Sequence, residues 1–419
     1  MRTSFVRTIL GGVVVGLALI TTGCGVDMSR VTSEAVVPLE QASLDSAADN
    51  RVVGIGEATH GNREFVRIRK VIIARLVRDH GFRTVTLEAD FGGTAVANDY
   101  VLTGRGSAVA AAEALGFDIY RTRETADLLA WIHDHNASVA AGDKVRLYGF
   151  DMQRYDHNKA RLLRYLATVD PDQVRSVAES LADLSDATRS EQDKEKVAAA
   201  ADAAERLVVR MRANRQAYVN ASSPESFALA VHHAETIWRG AELQTSGNDY
   251  ARKRDAWMAE NVSWITDLEN AHGRRKVVVA GHNGHIDKTG AAFRFASMGE
   301  RLARAYGEDY FSIGTEFGTS TFVSRDEGSG ERRRFTVSHD TPLAKLFGDE
   351  RWGYVDVARA SSRAGNSELL GSKTRMGSVG DSFRPIYRHL SWAYTVTMVP
   401  AHAYDALVYV PHAGPVTPL

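Results

Sequence analysis

Four short apolar runs, Val52–Gly56, Thr84–Leu87, Val145–Phe150 and Lys276–Ala280, are each followed within two residues by an ionisable side chain. Helical segments separate them, so the strands need crossover connections, which implies a parallel sheet covered on both faces. In open sheets of this kind ligands bind outside the carboxyl ends of the strands. Glu57, Glu88, Asp151 and the pair His282 and His285 follow the four runs. All are therefore delivered to one sheet edge. Each is weak evidence alone; their shared placement marks a site.

Arg63 to His80 carries Phe65, Ile68, Ile72 and Leu76 at helical spacing, and Gly81 follows as a C-cap. Further short strands are expected at Tyr310–Gly314, Thr321–Ser324, Arg334–Val337 and Ala406–Val410. Residues 157–272 hold almost no strand-like run and are expected to be helical, with Val197, Ala201, Ala204, Leu207, Val208 and Met211 near one face. The expected organisation is an α/β core over 51–155 and 273–415, interrupted by a helical insertion over 156–272.

The 419 residues include 51 basic and 52 acidic side chains. Binding nucleic acid needs a surplus of Lys and Arg, so no nucleic-acid partner is expected. A single cysteine excludes an intrachain disulfide and any cysteine-based zinc or iron–sulfur site. Met1–Arg7 carries two arginines, and Ile9–Ile20 is apolar but short for a membrane span, as in a signal peptide. Ile20-Thr21-Thr22-Gly23-Cys24 resembles a bacterial lipoprotein box, with Thr21 where such boxes usually carry Leu. The expectations are a signal peptide over 1–23, lipidation at Cys24, a tether over 24–50, and an extracytoplasmic, lipid-anchored protein. No obligate protein partner is evident.

Gly56-Glu57-Ala58-Thr59-His60-Gly61 lies between a strand and a helix. It is not a dinucleotide loop, because Thr59 replaces the third glycine and Glu57 would oppose a pyrophosphate. The chain has no Gly-x-Ser-x-Gly elbow, Walker loop or His-Glu-x-x-His motif, and Gly380-Asp381-Ser382 follows no clear strand. A hydrolase without a serine or cysteine nucleophile must use water. A histidine held by a carboxylate can take water's proton, with Glu57 or Glu88 orienting the imidazole. His60 is the preferred base because both glutamates can flank it. Two alternatives use the same residues. Glu57, His60, His282 and His285 could hold zinc or iron for metal-dependent hydrolysis. A lipoprotein could instead bind haem or another ligand, with His60 or His282 as axial ligand.

Gly54-Ile55-Gly56-Glu57-Ala58-Thr59-His60-Gly61-Asn62-Arg63-Glu64-Phe65 resembles the signature of the erythromycin esterase family. The resemblance continues through Leu87-Glu88, Gly149-Phe150-Asp151, Arg254-Asp255, Met258–Asn261, Gly281–His285 and Tyr404–Tyr409. It implies a three-layer α/β/α core with a mainly parallel sheet and a large helical portion, a fold shared with a haem-binding lipoprotein group. It also implies hydrolysis of a macrolide lactone or other bulky ester by histidine-activated water, without metal or cofactor. Carried over, Glu57, His60, Glu88, His282 and His285 are the catalytic candidates. Arg63, Asp151, Arg254 and Asn261 are the substrate-binding candidates. Arg254 and Asn261, seven apart, share a helical face expected to line the cleft.

Overall fold

The computed structural model describes residues 26–419; the expected signal segment and Cys24 lie outside them. Twelve strands are present among the described residues: β1 (Val37–Pro38), β2 (Val52–Glu57), β3 (Thr84–Asp90), β4 (Arg146–Asp151), β5 (Val277–His282), β6 (Tyr310–Asp326), β7 (Arg332–Ser338), β8 (Gly353–Asp356), β9 (Thr374–Gly377), β10 (Ser382–Phe383), β11 (Thr395–Met398) and β12 (Ala406–Ala413). The main sheet runs β1-β8-β12-β6-β2-β5-β3-β4, with β7 and β10 also pairing with β6. From β12 to β4 every neighbouring pair is parallel. The strands β2, β3 and β5 are buried along their whole length, as strands covered on both faces must be.

Helices surround this sheet. On one face Phe65, Ile68, Ile72 and Leu76 of the helix Arg63–His80 pack against Val53, Ile55 and Val85. Gly81 ends that helix at φ 73°, the left-handed conformation that glycine adopts without a Cβ clash. On the other face Met258, Val262 and Ile265 of the helix Tyr250–Ala271 meet Val277 and Val279. The architecture is thus mixed α/β, with a large, mainly parallel sheet between helices.

Three expectations change. Residues 26–50 are packed rather than a tether. β1 pairs antiparallel with β8, and Leu39, Ala42, Leu44 and Ala47 are buried because their apolar side chains have a core to enter. Tyr310–Gly314 and Thr321–Ser324 are parts of one 17-residue strand, β6, which pairs with β2 early and β7 late. Finally, the helices between β4 and β5 do not form one unit. The helices Asp156–Val169, Lys194–Ala213 and Pro224–Thr245 share their own core, including Leu162, Leu207 and Ile237. The helix Tyr250–Ala271 instead lays its apolar stripe on the sheet, which places Arg254 at the sheet edge.

Candidate active site

The parallel register makes Glu57 and His282 direct neighbours across β2 and β5. Strands this crowded at their exits need glycine. A Cβ at Gly281 would lie 3.0 Å from Glu88 Oε2, and one at Gly56 would collide with the Asn283 side chain. Beyond β2 the chain turns through Thr59–Asn62. Asn62 Nδ2 donates to the carbonyls of Thr321 at 2.8 Å and Gly414 at 3.0 Å, which fixes the turn carrying His60.

His60 Nδ1 donates to Glu57 Oε1 at 2.7 Å, and the other Glu57 oxygen pairs with the buried Arg69. Burial opposes ionisation of Glu57, but Arg69 and His60 outweigh it and hold its pKa below the ordinary carboxylate value. Burial likewise disfavours the His60 cation. The Glu57 hydrogen bond and charge overcome that cost, so the His60 pKa is raised. With Nδ1–H committed to Glu57, Nε2 carries the lone pair. No protein atom among the described residues hydrogen-bonds that nitrogen.

Glu88 serves a second group. Its Oε1 accepts from Arg254 Nη2 at 2.8 Å and lies 3.2 Å from His285 Nε2, while Oε2 accepts the His282 backbone N–H at 2.7 Å. His285 Nδ1 donates to Asp255 at 3.0 Å. Burial opposes the His285 cation, but the two carboxylates push its pKa up to about 10. The two carboxylates thus favour the protonated His285 ring, although Arg254 Nη1 also lies 3.2 Å from its Nε2. His282 is the opposite case: burial and the neighbouring His60 bring its pKa down to about 3. Its Nδ1 accepts the Gly284 N–H at 3.2 Å, which puts the proton of the neutral ring on Nε2. The His60 and His282 ring centroids are 5.0 Å apart.

His60, Glu88, Arg254, His282 and His285 line one cleft of about 470 Å³, a size that suits a small-molecule ligand. Phe117, Ile119, Phe293 and Val396 supply apolar wall, and Gln153, Arg325 and Asp381 add polar groups. Among the described residues no group of three or more His, Cys, Asp or Glu is arranged to hold a metal ion. Both glutamates instead face guanidinium groups.

Not every expected residue reaches the cleft. Arg63 sits at the start of its helix, half-exposed, and donates to Glu64 beside Gly414. Asn261 shares a helical face with Arg254 but is two turns farther along. It is buried, donating to the Phe150 carbonyl and accepting from Arg239. Asp151 lies behind the cleft, fully buried, and holds Arg254 through Oδ2. Glu88 does not flank His60 by contact, because Arg254 and His285 occupy it. Sequence reasoning missed Arg69 and Asp255. Arg69 had one signal: a charged residue on the apolar face of its helix, one position after Ile68.

Known proteins resemble this chain over most of its length. The family model described as erythromycin esterase matches residues 77–413, beginning after Glu57 and His60. Erythromycin esterase type II of Escherichia coli is 28% identical over 295 residues, covering 64% of this chain and 68% of that protein. A Bacillus cereus protein of known crystal structure superposes with a TM-score of 0.78 at 25% identity, over 92% of this chain and 97% of that one. A mutant of the erythromycin esterase EreC in its open conformation superposes at 0.68 with 20% identity, over 91% and 98% of the two chains. With the family match extending over most of its length, the chain belongs to the erythromycin esterase family.

Proposed function

We propose that the cleft hydrolyses a carboxylic ester, a macrolide lactone or another bulky ester, with His60 as the base that activates water. The observation that carries this is the 2.7 Å hydrogen bond from His60 Nδ1 to Glu57, which leaves a basic Nε2 at the cleft. Nε2 takes a proton as the water oxygen bonds to the ester carbonyl carbon. The carbonyl oxygen becomes an oxyanion, stabilised by hydrogen-bond donors of Arg254 and His285, which line the cleft, with the neutral N–H of His282 beside them. Collapse breaks the C–O bond, and the alkoxide takes the proton back from His60. Arg69 acts through Glu57 and Asp255 through His285; both are positioning residues. The direct test incubates the protein with macrolides in chelator and follows a mass gain of one water. Turnover that stops in chelator would favour the metal-dependent alternative, and a haem absorption band in the purified protein the ligand-binding one.

The substrate would be met outside the cytoplasm. This part of the reading rests on the Ile9–Ile20 run and the Cys24 box. Acyl chains on Cys24 would anchor the protein where a 12-residue apolar run cannot span about 30 Å of hydrocarbon. A Cys24→Ser protein that is still cleaved at the same site as the wild type would overturn the anchor.

A further inference from the structure

One lip of the cleft presents apolar side chains to solvent. Ser378, Gly380, Asp381 and Val396 line the cleft, and the chain between them runs outward through two short 3-10 turns, Pro385–His389 and Ser391–Ala393. On these turns Ile386 is 57% exposed and Trp392 68% exposed, the highest value among the large apolar side chains of the described residues. Trp392 packs on Tyr387, their ring centroids 6.2 Å apart, and Tyr387 packs on the buried Phe383. The lip is thus held firmly from beneath.

Its surroundings are basic. β10 lies beside the end of β6, placing Ser382 next to Arg325, and β7 pairs on the other side with Arg332 opposite Arg325. Together 325–334 and 375–392 hold seven arginines against four carboxylates, in a chain whose formal charge is −1. Arg325, Arg334 and Arg388 are exposed and make no ion pair with a carboxylate among the described residues. A solvent-facing Trp and Ile ringed by arginines is the composition of an interfacial lipid-binding surface. The ring and aliphatic chain enter the acyl boundary, and the guanidinium groups meet headgroup phosphates.

We propose that this lip docks on an anionic lipid bilayer, with Trp392 and Ile386 in the headgroup region, so that the cleft opens beside the membrane surface. An apolar ester partitioned into the bilayer would then reach His60 over a short path. The docking depends neither on the catalytic role of His60 nor on lipidation of Cys24.

The test uses the full chain with phosphatidylglycerol-containing vesicles whose acyl chains are brominated, so that tryptophan at the boundary is quenched. Quenching of the wild type should be largely lost in Trp392→Phe and weaker on phosphatidylcholine vesicles. Replacing an arginine of the lip itself, as in Arg388→Glu, should weaken the Trp392 quenching by about fivefold or more in lipid concentration. Attachment through the N-terminal segment alone would leave Trp392 unquenched in every variant, and that result overturns the proposal. So does equal quenching of wild type and Trp392→Phe.

Discussion

Glu57 and His60 are three residues apart and joined by a 2.7 Å hydrogen bond, which orients the imidazole and sets its basicity. His60 must be neutral to take a proton, so kcat/KM should fall as pH falls through its raised pKa. Glu57→Gln removes the charge that favours the imidazolium. The acid limb should move to lower pH and the plateau rate should drop. An unchanged limb in the pH profile would contradict the pairing.

The three histidines should titrate far apart. His285, its pKa pushed up to about 10 by Glu88 and Asp255, should keep its proton through neutral pH, and His282, brought down to about 3 by burial and His60, should stay neutral. Between those limits His60 is the member of the group whose charge changes. Nitrogen-15 NMR of the imidazoles tests this: a His282 signal that titrates near neutral pH would remove the argument for a neutral donor.

Arg69 is buried against the buried Glu57 carboxylate. Arg69→Met leaves that carboxylate without its main compensating charge, at a cost of about 3–5 kcal/mol. The depressed Glu57 pKa gives the sign: the pair's stabilisation is present above the ordinary carboxylate pKa and is lost as pH falls through the folded value. Urea unfolding at pH 8 should therefore show a larger deficit than at pH 4. A variant as stable as the wild type at pH 8 would refute the role.

Glu316 points the other way. It is fully buried, and burial pushes its pKa up to about 8 although Phe317 and Gly377 donate backbone N–H groups to it. The folded protein therefore holds a proton that the unfolded chain releases above about pH 4.5. That contribution is complete below the unfolded pKa and is lost as pH rises to about 8, at most about 1.4 kcal/mol per unit. Glu316→Gln can keep both bonds through one oxygen and should remove this pH dependence, so it gains on the wild type toward alkaline pH. Parallel stability curves for the two proteins would contradict it.

The candidate site was legible because β2, β3, β4 and β5 are largely apolar runs that each carry a carboxylate or histidine at the exit edge. The division within the site was not. Glu88 leaves its strand as if to serve either histidine, and only Arg254, arriving from a helix more than 160 residues later, commits it to His285. Arg63 and Asn261 were misplaced for a related reason. Proximity in a motif or on a helical face fixes direction, not depth, and two helical turns separate residues by about 10 Å along the axis. β1, β9 and β11 are short and pair with β8 or with each other, so no run of alternating residues announced them.

Direct attack by His60-activated water, with no covalent intermediate, is tested most directly by a single turnover in oxygen-18 water with enzyme in excess over ester. The account predicts one labelled oxygen in the product carboxylate in the first turnover and none in the protein. Unlabelled product, with the label appearing in the Glu57 or Glu88 carboxylate, would show a protein nucleophile and contradict it.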